Sequence, residues 1–219
     1  MLDPHDLTGA HAPARPARAA RGVGWRHLMP LGDDVFTIPD DLPVPEDDGA
    51  ADHLINSVVP PVALRATTGD TVRLDELAGR TVLFGYPRTG RPDEDLLPGW
   101  DAIPGARGCT PETCGFRDAH SQFADLGARV MALSTQSTGY QRELAERLGL
   151  PFPVLSDESL ELTTALGLPT FETGGLTLLK RLTLVIDDGR VSHVFYPVFP
   201  PDGHAEEVLA WLREAPAAT

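Results

Sequence analysis

Cys109 and Cys114 are the residues of this 219-residue chain whose type and spacing point most directly to chemistry. Both lie in the run GCTPETCGFRD, residues 108–118, where a stretch rich in Pro and Gly gives way to a helical pattern. Thr110 is a suitable N-cap for that helix, and Pro111 suits its first turn. A thiol at a helix start faces unpaired N–H groups and the positive end of the helix dipole, which favour the thiolate. We therefore predict an activated nucleophile at Cys109, with a small buried apolar side chain as the alternative.

The spacing of the two cysteines limits how they can form a disulfide. Five helical residues rise about 7.5 Å, whereas the α-carbons of a disulfide lie roughly 4.4–6.8 Å apart. An oxidised form therefore requires local unfolding over residues 110–116. Thioredoxin-like carriers use C-x-x-C, so CTPETC favours a peroxide-reacting thiol. A disulfide oxidoreductase that carries electrons and a redox sensor without turnover stay as alternatives.

The elements that position this helix alternate between strands and helices. RTVLFGY and ARVMALST are continuous apolar runs, which are typical of strands buried on both faces. Asp188-Gly189 predicts a hairpin between KRLTLVID and RVSHVFY, and a first hairpin turns at Gly69-Asp70. We predict helices over 110–126 and 138–148, a short helix ending at Gly167, and a last helix that Asp202 caps. This order predicts an α/β fold with a central mixed β-sheet and helices on both faces.

The first 52 residues differ from the rest in composition. They are rich in Ala, Pro, Arg and Asp and lack helical or strand periodicity, which predicts a disordered or loosely packed arm over 1–52 and a domain over 53–219. The arm lacks the apolar core of a secretory signal, and the chain has no bilayer-length apolar run, so we expect a cytoplasmic protein. A net charge of −14 argues against nucleic acid and membrane partners. The histidines show no metal-ligand spacing, so neither a metal nor a cofactor is expected.

Three segments together resemble the peroxiredoxins, specifically the bacterioferritin-comigratory or Q type: GCTPETCGFRD, LFGYPR and KRLTLVIDDGRVSHVFYPVF. The resemblance extends over roughly residues 58–213 and implies a thioredoxin-like fold and the reduction of hydrogen peroxide or organic hydroperoxides. It implies that Cys109 is peroxidatic, that Cys114 resolves its sulfenic acid as a disulfide, and that a thioredoxin-like donor reduces the disulfide. It also places Arg181 where the family has an arginine that stabilises the thiolate and the peroxide. We expect a monomer or a weak homodimer.

One departure from the family pattern concerns the loop before Cys109. The family has Thr or Ser three residues before its peroxidatic cysteine, whereas this chain has Ala106 there and an unusually long segment over 87–108. The hydroxyl groups of Thr89 and Thr110 are the two candidates to replace the hydroxyl that the family has at this position. The insertion therefore bears on peroxide-binding geometry and substrate preference.

Overall fold

The computed structural model describes residues 36–92 and 94–215, in which strands and helices alternate along the chain. The strands are β1 (Ala63–Ala66), β2 (Thr71–Arg73), β3 (Arg80–Gly85), β4 (Ala128–Ser134), β5 (Val154–Ser156), β6 (Thr170–Thr173), β7 (Leu176–Leu179), β8 (Leu182–Asp187) and β9 (Arg190–Phe195). The α-helices are α1 (Cys109–Asp118), α2 (His120–Asp125), α3 (Thr138–Leu148), α4 (Glu161–Leu166) and α5 (His204–Glu214).

Seven of these strands form one mixed sheet in the order β2-β1-β5-β4-β3-β8-β9. The β3–β4 and β4–β5 pairs are parallel, and the remaining pairs are antiparallel. Strand β3 lies in the interior of this sheet and is buried at every position, as its unbroken apolar run predicts. Its side chains alternate between two cores, so that Phe84 packs with α1, α2, α3 and α5, whereas Leu83 packs with α4. The α/β fold with a mixed sheet and helices on both faces is confirmed.

The predicted helix over 110–126 is in fact two helices. Ala119 separates α1 from α2 with φ −92° and ψ 0°, where the backbone leaves ideal α-helical geometry. Phe116 and Phe123 nevertheless lie in the same core with stacked rings, 5.4 Å between centroids. Phe116 and Phe123 therefore share one buried face across the break, whereas Leu126 is exposed.

The predicted caps at Thr110 and Asp202 were wrong. Helix α1 begins one residue before Thr110, at Cys109, and its N-cap is Gly108 in the left-handed conformation. Helix α5 begins after a single 3-10 turn, Pro201–Gly203, and no side chain caps it. In both places a tight turn sets the helix start, so the cap does not depend on a hydroxyl or carboxylate.

A third hairpin, β6–β7, was not predicted. It turns at Gly174-Gly175, where both residues have positive φ, and it forms a separate two-stranded sheet. The inserted loop folds against it through a small core in which Trp100 and Leu178 are buried. Trp100 faces Phe171 of β6 with 6.3 Å between ring centroids. The tryptophan is therefore a local anchor that holds the insertion on the hairpin.

The described part of the predicted arm, residues 36–52, runs beside the loop that leads to Cys109. The Thr37 carbonyl accepts hydrogen bonds from Arg107, and the Asp48 carboxylate accepts from Lys180 and from the Tyr196 hydroxyl. Residues 1–35 of the arm lie outside the described residues, so the domain boundary at 52/53 stays a prediction. Within residues 36–92 and 94–215, no helix combines the length and the apolar character needed to cross a bilayer.

Candidate active site

Cys109 is the first residue of α1, and its side chain is almost fully buried, with 3% of its surface exposed. Gly108 makes this placement possible because its φ of +99° is a conformation that other residues rarely adopt. A Cβ at Gly108 would also overlap the ring of Pro201. The start of α1 is therefore held tightly against the turn that precedes α5.

Arg181, next to the first residue of β8, lies directly against Cys109. Its Nη2 is 3.1 Å from the Cys109 Sγ and donates to the carbonyl oxygen of Arg107 at 3.0 Å. The same nitrogen lies 3.2 Å from the Ala106 carbonyl oxygen, so the guanidinium braces the loop that leads into α1. The guanidinium is 1% exposed and forms an ion pair through Nη1 with Glu112. The structure thus brings together two residues that are far apart in sequence.

Glu112 has a larger part in this arrangement than the sequence indicated. An acid in a first helical turn is common as a surface partner of the helix dipole, but this carboxylate is fully buried. Its Oε2 pairs with Arg181, whereas its Oε1 has no hydrogen-bond partner among the described residues. Burial raises the pKa of Glu112, and the positive charge of Arg181 opposes this rise. The sequence carries no signal for such burial, because the partner, Arg181, lies 69 positions away in the chain.

The electrostatics of Cys109 differ from the expectation based on the helix start alone. Burial raises the pKa of the Cys109 thiol, and the Glu112 carboxylate acts in the same direction. Arg181 is the strongest opposing influence, and the backbone N–H of Arg88 adds to it. The helix start therefore does not by itself decide the ionisation of Cys109, because the thiol is removed from water. Ionisation of Cys109 therefore depends on Arg181.

Cys114 lies on the same helix, and both cysteines are free. Its side chain is half-buried, and burial raises the pKa of its thiol, against which Arg117 acts most strongly. The first turn of α1 is intact, since Glu112 N donates to Gly108 O at 3.0 Å and Thr113 Oγ1 to Cys109 O at 2.8 Å. These contacts describe a reduced, fully helical state.

The two candidate hydroxyl groups belong to buried threonines, Thr89 and Thr110. The Thr89 hydroxyl and backbone N–H both contact Gln136 Oε1, at 3.1 and 2.9 Å. The Thr110 side chain is buried in α1. Among the described residues, neither threonine hydroxyl is hydrogen-bonded to the Cys109 Sγ. The candidate donors at the sulfur are instead the Arg181 guanidinium and the Arg88 backbone N–H.

Comparisons with known proteins show the family to which the chain belongs. The model of the Redoxin family matches residues 55–209. The chloroplastic peroxiredoxin Q of Gentiana triflora is 31% identical over 161 residues, which are 73% of this chain and 66%, just under two thirds, of that protein. A putative peroxiredoxin of Mycobacterium tuberculosis is 35% identical over 149 residues, 67% of this chain and 87% of the relative. The crystal structure of peroxidoxin BcpB from M. tuberculosis superposes with a TM-score of 0.59 at 31% identity, covering 74% of this chain and 98% of that one.

Proposed function

Because the chain belongs to the redoxin family, as a peroxiredoxin of the Q or bacterioferritin-comigratory type, we propose that it is a thiol peroxidase for hydrogen peroxide or organic hydroperoxides. The observation that carries the proposal is the buried contact between Arg181 Nη2 and Cys109 Sγ, 3.1 Å long. A permanent cation beside a nucleophilic sulfur stabilises the thiolate and offers a donor to a peroxide oxygen.

The first step oxidises Cys109. Its thiolate attacks the terminal peroxide oxygen, an S–O bond forms, and the O–O bond breaks. The leaving oxygen departs as hydroxide or alkoxide and takes up a proton, so the products are a sulfenic acid and water or an alcohol. In this proposal Arg181 donates to the peroxide oxygens, and it also donates to the carbonyl oxygens of Ala106 and Arg107 next to the sulfur.

The second step uses Cys114 as the resolving residue. Its sulfur attacks the sulfenic sulfur of Cys109, an S–S bond forms, and water leaves. Both cysteines belong to the intact helix α1, so the first helical turn has to open for the sulfurs to meet. A thioredoxin-like dithiol then supplies the two electrons that restore both thiols.

The same proposal includes a cytoplasmic location and a monomer or weak homodimer, with no nucleic-acid or membrane partner. Two free cysteines five residues apart suit a reducing compartment. The charge of −14 disfavours polyanionic partners. The plant relatives carry the word chloroplastic in their names, which is a property of those proteins.

The test is the intact mass of fully reduced protein after one equivalent of hydrogen peroxide. We expect wild type to lose two hydrogens rapidly, Cys109→Ser to stay unchanged, and Cys114→Ser to gain one oxygen. Wild type that stays reduced for minutes would contradict the proposal and favour a disulfide carrier. Oxidation without turnover by any thiol donor would instead indicate a redox sensor.

A further inference from the structure

An arginine in the last turn of α1 joins that helix to the end of α3. Arg117 Nη1 donates to the carbonyl oxygen of Leu148, the last residue of α3, at 3.1 Å. The last carbonyl groups of a helix have no partner within the helix and carry the negative end of its dipole, so a guanidinium stabilises them. Arg117 Nε also donates to Asp118 at 2.7 Å. These two contacts fix the guanidinium in one place, although 30% of the side chain is exposed.

Cys114 is the neighbour of Arg117 on the surface of α1. The two residues are three positions apart in one helix, a spacing that leaves about 5–6 Å between β-carbons and puts both side chains on the same side. The Cys114 side chain is half-buried and packs against the core cluster to which Leu148 belongs. The thiol and the guanidinium therefore lie together at the junction between α1 and α3.

The charges at this junction come from both helices. Among the described residues, the charged groups that act on the Cys114 thiol are Arg117, Asp118 and Arg147. Burial raises the pKa of this thiol, Arg117 opposes the rise most strongly, Asp118 adds to it, and Arg147 of α3 opposes it further. Arg147 Nε donates to Glu143 at 2.7 Å, whereas its Nη1 is buried and has no hydrogen-bond partner among the described residues. Two guanidinium groups thus act on one thiol.

We propose that Arg117 is a positioning residue for the resolving step, in which it holds a positive charge beside the Cys114 thiolate that attacks the oxidised Cys109. The thiolate is the nucleophile of this step. An S–S bond forms to the sulfenic sulfur, the S–O bond breaks, and the oxygen takes up protons and leaves as water. The inference rests on the proposed function and adds a residue to its second step. Arg181 acts on Cys109 and Arg117 on Cys114, so each thiol has its own arginine.

Arg117→Gln removes the charge but keeps a donor for the Leu148 carbonyl. Without the cation, we expect the pKa of Cys114 to rise by about one unit. Below that pKa about tenfold less thiolate is present, but a more basic thiolate is about threefold more nucleophilic, so the resolving step slows about threefold. Above the pKa the thiolate is fully formed in both proteins, and the variant resolves faster. The two rate-versus-pH profiles therefore cross, whereas a merely structural role changes the rate by the same factor at every pH.

Rapid-quench intact mass measures both steps in one experiment. The sulfenic acid carries one added oxygen, and the disulfide has lost two hydrogens, so the decay of the first species gives the rate of the resolving step at each pH. Arg117→Lys, which keeps the charge, is expected to follow the wild-type profile. Asp118→Asn removes an opposing charge and is expected to move the profile to lower pH. Arg129→Gln, at an exposed arginine of β4, is the matched control and should leave the profile unchanged.

The outcomes separate this proposal from the peroxidase function. A profile of Arg117→Gln that coincides with wild type, or that differs from it by one factor at every pH, would overturn the role of Arg117 and leave the peroxidase function intact. Where Arg117→Gln fails to fold, an Asp118→Asn profile that does not move to lower pH overturns it as well. Wild type that never gains the sulfenic oxygen or forms the disulfide would reject the peroxidase function and, with it, the resolving step.

Discussion

At the scale of single residues, the site consists of three buried ionisable side chains that lie in a row. Cys109, Arg181 and Glu112 are all almost fully enclosed, and the guanidinium lies between the two acids. A buried carboxylate or thiolate is costly unless a partner compensates it. Arg181 is that partner for both, so the reactivity of the thiol and the stability of its surroundings depend on the same side chain.

Arg181→Lys is therefore expected to slow the oxidation of Cys109 by hydrogen peroxide by roughly 10²-fold, the loss typical of a missing transition-state donor. A single ammonium group cannot donate hydrogen bonds to the Cys109 Sγ, the loop carbonyl oxygens and the Glu112 carboxylate at the same time. Because a stabilising cation is weakened, the pKa of Cys109 rises and the rate-versus-pH profile moves to higher pH. Stopped-flow kinetics measure both effects. Arg80→Lys, a buried arginine paired with Asp187 elsewhere in the sheet, is the control and should react like wild type.

Glu112→Gln is expected to have the opposite effect on the thiol. The carboxylate raises the pKa of Cys109, so its neutralisation should lower that pKa and let the thiolate form at lower pH. Absorbance of the thiolate at about 240 nm during a pH titration measures the change, with Cys114→Ser as the background in every sample. Glu207→Gln, at an exposed acid that contacts His204, is the matched control. A pKa of Cys109 that rises in Glu112→Gln would show that the carboxylate mainly positions Arg181.

At the scale of elements, the junction between the loop and α1 is the most constrained point near the site. Gly108→Ala combines a left-handed backbone with overlap on Pro201, so we expect a loss of about 3 kcal/mol in the free energy of unfolding. Gly79→Ala is the control, because it has φ +74° but open space around the added Cβ, and should lose about 1 kcal/mol. Denaturant unfolding of both variants measures the difference. Equal losses would mean that Pro201 yields to the added methyl group.

Helix α1 is also the element that oxidation should change. The two cysteines are five positions apart in a regular helix, a separation that a disulfide cannot span. Amide hydrogen exchange over residues 110–116 is therefore expected to be faster in the disulfide form than in the reduced form. Exchange in β3, which is buried throughout, should not change and gives the internal reference. Cys114→Ser treated with peroxide should keep reduced-like protection, and equal protection in oxidised wild type would contradict local unfolding.

The elements that the sequence predicts well are those whose signal is local. The apolar run of β3, the Asp188-Gly189 turn between β8 and β9, and the limits of α3 at residues 138 and 148 all follow from neighbouring residues. The hairpin β6–β7 was not predicted although Gly174-Gly175 marks its turn. The reason is that LTLL, residues 176–179, resembles the beginning of the strand that follows it. The Glu112–Arg181 pair spans 69 positions. Such a pair depends on tertiary packing, which no local pattern encodes.

At the scale of the whole molecule, two separate parts of the chain contact the loop before α1. The described arm contacts it through Thr37 and Arg107, and Arg181, next to the first residue of β8, donates to the Ala106 carbonyl oxygen. The first turn of α1 therefore has to open while the arm and the Arg181 side chain are packed against the loop that leads into it. The resolving step is nevertheless possible within one chain, because both cysteines belong to one helix.

The disulfide is consequently expected to form within a single chain. At a fixed peroxide concentration in excess over the protein, the observed first-order rate constant of its formation should be independent of protein concentration over about a hundredfold range. The product should migrate as a monomer on a non-reducing gel and sediment like the reduced protein. Cys114→Ser under the same conditions is the control, since any Cys109–Cys109 link between chains would appear there. A rate proportional to protein concentration, or a covalent dimer of wild type, would contradict intramolecular resolution and place the resolving thiol on a second molecule.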